Sequence, residues 1–140
     1  MADLIIYTNE KIILNDTDRG VLTTQTISGI NNIDNRILNI PSGSNTTLFT
    51  LSNGNGAGTF ITSSIQYVRI TNTSTTVPVK LIISSSTEAM SYSVSAGSSY
   101  TLSTSKMTGS LSSLIFNDIT SIQAQPSGSS ATIEYFIATT

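Results

Sequence analysis

The chain has 140 residues with no Cys, His or Trp, only 14 charged side chains (six Lys and Arg, eight Asp and Glu), and 24 Ser and 22 Thr. Its length fits one domain, and 38 large aliphatic and phenyl side chains (19 Ile, ten Leu, five Val, four Phe) are too many for a disordered tract. Without Cys there is no disulfide or thiolate nucleophile, and without His no imidazole base or His metal ligand. A formal charge of −2 with no basic run argues against a phosphate-tracking nucleic-acid surface.

Short strands account for the chain from its first residues onward. Apolar runs at Leu4-Ile5-Ile6 and Ile12-Ile13-Leu14 predict strands over 3–7 and 11–15, followed by one over 21–28. Neither run approaches the ~20 residues of a membrane helix. The N-terminus lacks a basic segment followed by a long apolar stretch, so no Sec export is expected. Only Gly29–Arg36 has a case for helix, weakened by Asn31-Asn32. Strands are then expected at 37–40, 47–52, 59–63 and 65–72. Val77, Val79, Leu81 and Ile83 alternate with Thr76, Pro78, Lys80 and Ile82; Pro78 lacks an N–H, so this strand should be an edge or bulge there. Met90, Tyr92 and Val94 alternate with serines, and Ala96-Gly97 suggests a hairpin leading to Tyr100 and Leu102. A strand over 110–116 follows. Thr120, Ile122 and Ala124 then share a face before Pro126-Ser127-Gly128 turns the chain. The last strand sets Ile133, Tyr135 and Ile137 against Thr132, Glu134 and Phe136.

About a dozen short strands between Ser, Thr, Asn and Gly turns predict an all-β fold. An antiparallel β-sandwich, jelly-roll-like, is favoured over a parallel fold, which needs intervening helices. Charge divides the chain: eight charged residues fall in the first 36 and six in the remaining 104. This predicts an N-terminal arm or peripheral segment over 1–36 and a β-sandwich body over 37–140. The alternative is one sandwich throughout.

The motifs carry little chemistry. Asn53-Gly54-Asn55-Gly56-Ala57-Gly58 resembles a phosphate loop but leads into a strand, so a hairpin loop between 47–52 and 59–63 is expected. Asn15-Asp16-Thr17-Asp18 offers oxygens of the kind calcium prefers, without the EF-hand spacing; a solvated turn is the simpler expectation. Ser103-Thr104-Ser105-Lys106 fits S-x-x-K without its companion motifs. The three sequons, at Asn15, Asn45 and Asn72, are about the number expected by accident, and no glycosylation is expected. Glu88, Asp118 and Glu134 are the body's acids available for a glycosidase pair, while Tyr67, Tyr92, Tyr100 and Tyr135 fall in strands, where packing is their default role. No catalytic residue, metal site or cofactor is expected.

A soluble monomer usually carries about 25–35% charged residues on its surface; this chain has 10% overall. Such a surface suits either a permanent assembly or a place where charge repulsion is unwanted, and in either case the charged leader would be a docking arm. The arm's candidate partner-binding residues are Leu4, Ile5, Ile6, Glu10, Lys11, Ile12, Ile13, Asp16, Asp18 and Arg19. Arms of this kind can add strands to an exposed sheet edge.

Tyr67-Val68-Arg69-Ile70-Thr71-Asn72-Thr73-Ser74, Val77–Ile83, Tyr100-Thr101-Leu102-Ser103, Ile119–Gln125 and Ala131–Ala138 resemble stretches of small bacteriophage virion proteins, over roughly residues 60–140. The resemblance is to capsid decoration (cement) proteins. It implies a non-enzymatic homo-oligomer, a trimer favoured, located on the virion and bound to the major capsid protein; the charge and the short apolar runs give no expectation of a nucleic-acid or membrane partner. The alternatives are a tail or neck component of the particle and a carbohydrate-binding or adhesive module.

Overall fold

The computed structural model describes residues 2–51, 59–60, 65–103 and 119–140, with residues 59 and 60 as backbone only. It is all-β, as the strand periodicity predicts. Among the described residues thirteen strands run in chain order: β1 Ala2–Glu10, β2 Ile13–Leu14, β3 Thr17–Asp18, β4 Val21–Ile30, β5 Asn32–Ile40, β6 Thr46–Leu51, β7 Thr59–Phe60, β8 Ile65–Asn72, β9 Val79–Ser84, β10 Ala89–Val94, β11 Ser99–Leu102, β12 Ser121–Pro126 and β13 Ala131–Thr139.

The body packs one sheet of order β11-β8-β13-β5 on a second of order β10-β9-β12-β6-β7. Omitting the two-residue β7 and counting the remaining eight strands from β5 onward, the sheets read 6-3-8-1 and 5-4-7-2. This is the strand order of a jelly roll. All body pairings are antiparallel except β6 with β7.

Alternation builds the core. Ile133, Tyr135 and Ile137 of β13, Val79, Leu81 and Ile83 of β9, and Ile122 and Ala124 of β12 are all fully buried between the sheets. The ring of Tyr135 lies 6.0 Å from that of Phe49. Where β12 passes β6 the register shifts, skipping Leu48, so that Leu48 and Phe49 are both buried although adjacent.

Asn72 ties the sheets together at one end. Its side chain is fully buried and its amide donates to the carbonyls of Val77 (2.8 Å) and Val94 (3.2 Å), while its Oδ1 accepts from the Ser74 N–H (3.1 Å). Its backbone N–H donates to Ser98 and its carbonyl accepts from Gly97. The last residue of β8 thus holds both the β8–β9 crossover and the β10–β11 crossover. Buried within these bonds, its amide is closed to glycosylation.

Several local expectations are corrected. Gly29–Arg36 is not helical. Gly29, at φ +84°, is the extra residue where Ala2 pairs with Ile30 and Asp3 with Ser28, a glycine bulge that redirects β4 toward β5. The Pro78 strand is neither edge nor bulged: β9 begins at Val79 and lies between β10 and β12, with Pro78 just outside the ladder accepting the Ser127 N–H. Ala96-Gly97 does not make a hairpin, because β10 and β11 belong to opposite sheets and the turn arches between them. Strands β6 and β7 pair in parallel (Thr50 with Thr59), so they are not the two arms of a tight hairpin. The Gly-rich loop 53–58, the strand at 110–116, Lys106 and Asp118 lie outside the described residues.

Replacing Asn72 with Ala leaves the buried Val94 carbonyl, and the part-buried Val77 carbonyl and Ser74 N–H, without their partner. Asn72→Ala should lower unfolding free energy by about 3 kcal/mol in urea titrations, each buried unsatisfied group costing about 1–3 kcal/mol.

Candidate functional site

Residues 2–30 form one long β-hairpin outside both body sheets. Pairing runs in a single register from Asp3↔Ser28 through Glu10↔Val21 to Ile13↔Asp18 and Leu14↔Thr17. Asn15 (φ 51°) and Asp16 (φ 59°) are the two central residues of the end turn, both left-handed, as a two-residue type I′ turn requires. The Asp18 carboxylate accepts the Gly20 N–H at 2.8 Å. The Asn15–Asp18 cluster is thus a tight turn, and no group of three or more metal-ligating side chains occurs among the described residues. Gly20 passes so close to the opposite strand that a Cβ there would collide with the Glu10 carbonyl oxygen.

At its base the hairpin packs on the outer face of the β11-β8-β13-β5 sheet. Leu4, Ile6 and Ile27 contact a small second cluster of Ile30, Tyr67, Phe136 and Ala138, where the Tyr67 and Phe136 rings meet edge to face at 6.0 Å. Beside this contact a groove of about 510 Å³ runs between β1 and the sheet, bounded by Tyr7, Tyr67, Arg69, Thr101 and Phe136.

Beyond its base the hairpin is bare. Of ten exposed large apolar side chains among the described residues, seven lie on it: Ile5 (50% exposed), Tyr7 (70%), Ile12 (57%), Ile13 (64%), Leu14 (52%), Val21 (56%) and Leu22 (67%). Strand alternation distributes them over both faces: Ile12, Leu14 and Val21 continue the face of Leu4 and Ile6, while Ile5, Tyr7, Ile13 and Leu22 occupy the other. The structure therefore divides the predicted arm residues. Leu4 and Ile6 face the body, whereas Ile5, Ile12 and Ile13 are exposed beside Glu10, Lys11, Asp16, Asp18 and Arg19. Tyr7, Leu14, Val21 and Leu22 join them without having been candidates. The charge boundary at residue 36 falls inside β5, a body strand.

The tyrosines of the body pack as their strand positions predict. Tyr92 and Tyr100, from opposite sheets, close one flank of the sandwich at 5.1 Å. Tyr135 donates its hydroxyl to Asp34 Oδ2 at 2.8 Å, and Asp34 also pairs with Arg36 at 2.9 Å. Burial, reinforced by the Asp34 carboxylate, holds the Tyr135 hydroxyl well above the ordinary tyrosine value. It stays protonated and bonded at neutral pH, so this cluster clamps β5 to β13 and offers no base. Of the body's described acids, Glu134 is paired with Arg69 at 2.7 Å on the outer face, and Glu88 sits at the β9–β10 turn of the other sheet.

No known protein-family model, curated protein or solved structure matches the chain.

Two outcomes test this geometry. Because the folded-state pKa of Tyr135 is raised, the stability it adds is complete below about pH 10 and is lost as pH rises through the folded value. Tyr135→Phe should cost about 1–2 kcal/mol at pH 7 and flatten the alkaline decline, measured by urea unfolding across pH 8–11. Gly20→Ala should pry the hairpin end open, speeding amide exchange at residues 10–21 while leaving that of the body strands unchanged.

Proposed function

We propose that this chain is a non-enzymatic structural component of a virion, a capsid decoration protein that docks through its β1–β4 hairpin. The observation that carries this reading is the hairpin itself, apolar on both faces and uncovered over its distal half. From Thr8 to the turn it extends roughly 20 Å at the rise of an ordinary strand. A ribbon that needs covering on two sides fits a cleft between two neighbouring subunits better than a single flat surface. Seated in such a cleft in the major capsid protein lattice, it would bridge adjacent subunits and resist their separation. Seven side chains of this size offer on the order of 800 Å², the area one partner contributes to an interface of standard size.

The body supports this reading in a secondary way. Jelly rolls build both viral capsid and lectin domains, so the fold alone does not choose between a capsid role and a carbohydrate-binding one. Its tyrosines bear on that choice: Tyr67 and Tyr135 are buried, while Tyr92 is exposed and tilted against Tyr100, so the glycan array is the test that separates the two roles.

Co-sedimentation of the full chain with capsids of the virus that encodes it tests the proposal. Stoichiometric binding is expected, together with an empty glycan array. Leu14→Asp combined with Leu22→Asp should weaken binding about 100-fold or more, since each buried leucine contributes about 1.5–3 kcal/mol. Undiminished binding by that variant would contradict hairpin docking.

A further inference from the structure

Strand β5 is a bare edge of a different kind from the hairpin. It closes one side of the β11-β8-β13-β5 sheet, and among the described residues no strand pairs with its outer side. It is nine residues long and its ladder with β13 runs without a register shift. The other edge strands of the two body sheets are shorter: six residues for β10, four for β11, two for β7. Edge strands are normally protected by shortness, proline, lysine, a bulge or a covering loop. β5 is not short and has no proline, lysine or bulge, and two isoleucines stand exposed on its outer face, Ile33 at 66% and Ile37 at 71%.

Its residues are complementary to themselves. Consider two copies of β5 antiparallel in one continuous sheet, with the two-fold axis normal to the sheet at Asn35. Ile33 then lies opposite Ile37 of the second copy on the outer face, and Asp34 opposite Arg36 on the inner face. Asn35 meets its own equivalent on the axis, and Asn32 meets Leu38. Charges on the inner face of an edge ordinarily discourage pairing. Here the Asp34–Arg36 pair, bridged at 2.9 Å within one chain, meets its own reverse. Moving the axis by one residue sets Asp34 opposite Leu38 and Ile33 opposite Asn39, losing both matches. Opposite charges and apolar pairs directly across a ladder stabilise it, and mismatches discriminate against other registers.

We propose that β5 is a self-association edge, whose occupant is β5 of a second copy of this chain, joined about a two-fold axis at Asn35. The contact is closed and isologous, so it yields a dimer with one continuous eight-stranded sheet, and leaves both hairpins free. It stands independently of the capsid-docking reading, because it uses no hairpin residue.

The chain has no cysteine, so a single introduced one reports the geometry directly. In the proposed register the two Asn35 Cα atoms are about 4.5–5.5 Å apart, within the range a disulfide spans. Full-length Asn35→Cys should form a covalent dimer rapidly under mild oxidation. Ser91→Cys, on the rival edge β10, should remain largely unlinked. The unmodified chain at tens of micromolar should sediment at twice the monomer mass. Ile33→Lys combined with Ile37→Lys sets like charges across the ladder and should raise the dimer dissociation constant at least about tenfold. Leu14→Asp with Leu22→Asp should leave it unchanged. A monomeric or trimeric mass, equal cross-linking at Ser91→Cys, or loss of the dimer on the hairpin substitutions would each overturn the proposal.

Discussion

A two-stranded ribbon has two faces and no interior, and that constraint governs the N-terminal quarter of this protein. Isolated hairpins are marginal in water because they cannot bury what they carry. The β1–β4 hairpin meets this limit only at its base, where Leu4, Ile6 and Ile27 rest against Tyr67 and Phe136. The remainder is held by its register, by the type I′ turn at Asn15-Asp16 and by the close passage at Gly20. These are devices that specify a shape rather than bury apolar surface. A hairpin kept in shape while displaying seven large apolar side chains is the feature on which the proposed docking rests.

The body is the counterpart, with its large apolar side chains buried between its own two sheets. Its inner faces interdigitate around Tyr135 and Phe49, its buried Asn72 has its hydrogen-bonding groups engaged, and Asp34 holds both the Tyr135 hydroxyl and Arg36. The apolar surface that the sandwich leaves exposed is concentrated at strand edges, Ile33 and Ile37 on β5 and Tyr92 on β10. The scarcity of charge acquires a location in this way. Hydroxyl side chains keep the flanks wet without repelling a neighbour, while among the described residues the hairpin and the β5 edge expose the most apolar surface.

Much of this was legible in the sequence where a strand has one wet and one dry face. Ile133, Tyr135 and Ile137 alternate cleanly with Thr132, Glu134 and Phe136, and their burial follows that pattern. What was not legible was the assignment of strands to sheets. Ala96-Gly97 has the composition of a hairpin turn, yet the same residues serve an arch between layers, because turn chemistry sets local backbone geometry and not the partner of the next strand. Pro78 misled for a related reason: it sits one residue before the ladder, where its missing N–H is not needed. In the hairpin the run Leu4-Ile5-Ile6 has no alternation, so which residues face the body could not be read. Tyr7, Leu14, Val21 and Leu22 were missed as exposed hairpin residues, although projecting the turn at Asn15-Asp16 backwards pairs Val21 with Glu10 and Leu22 with Asn9. That symmetry was the available signal.

Amide hydrogen exchange of the full chain, free and bound to capsids, tests the central claim most directly. In the free chain, residues 8–23 should exchange far faster than β8, β9, β12 and β13, and on binding these same residues should become strongly protected while the body changes little. Protection appearing on the body strands with the hairpin left as fast as before would contradict the account.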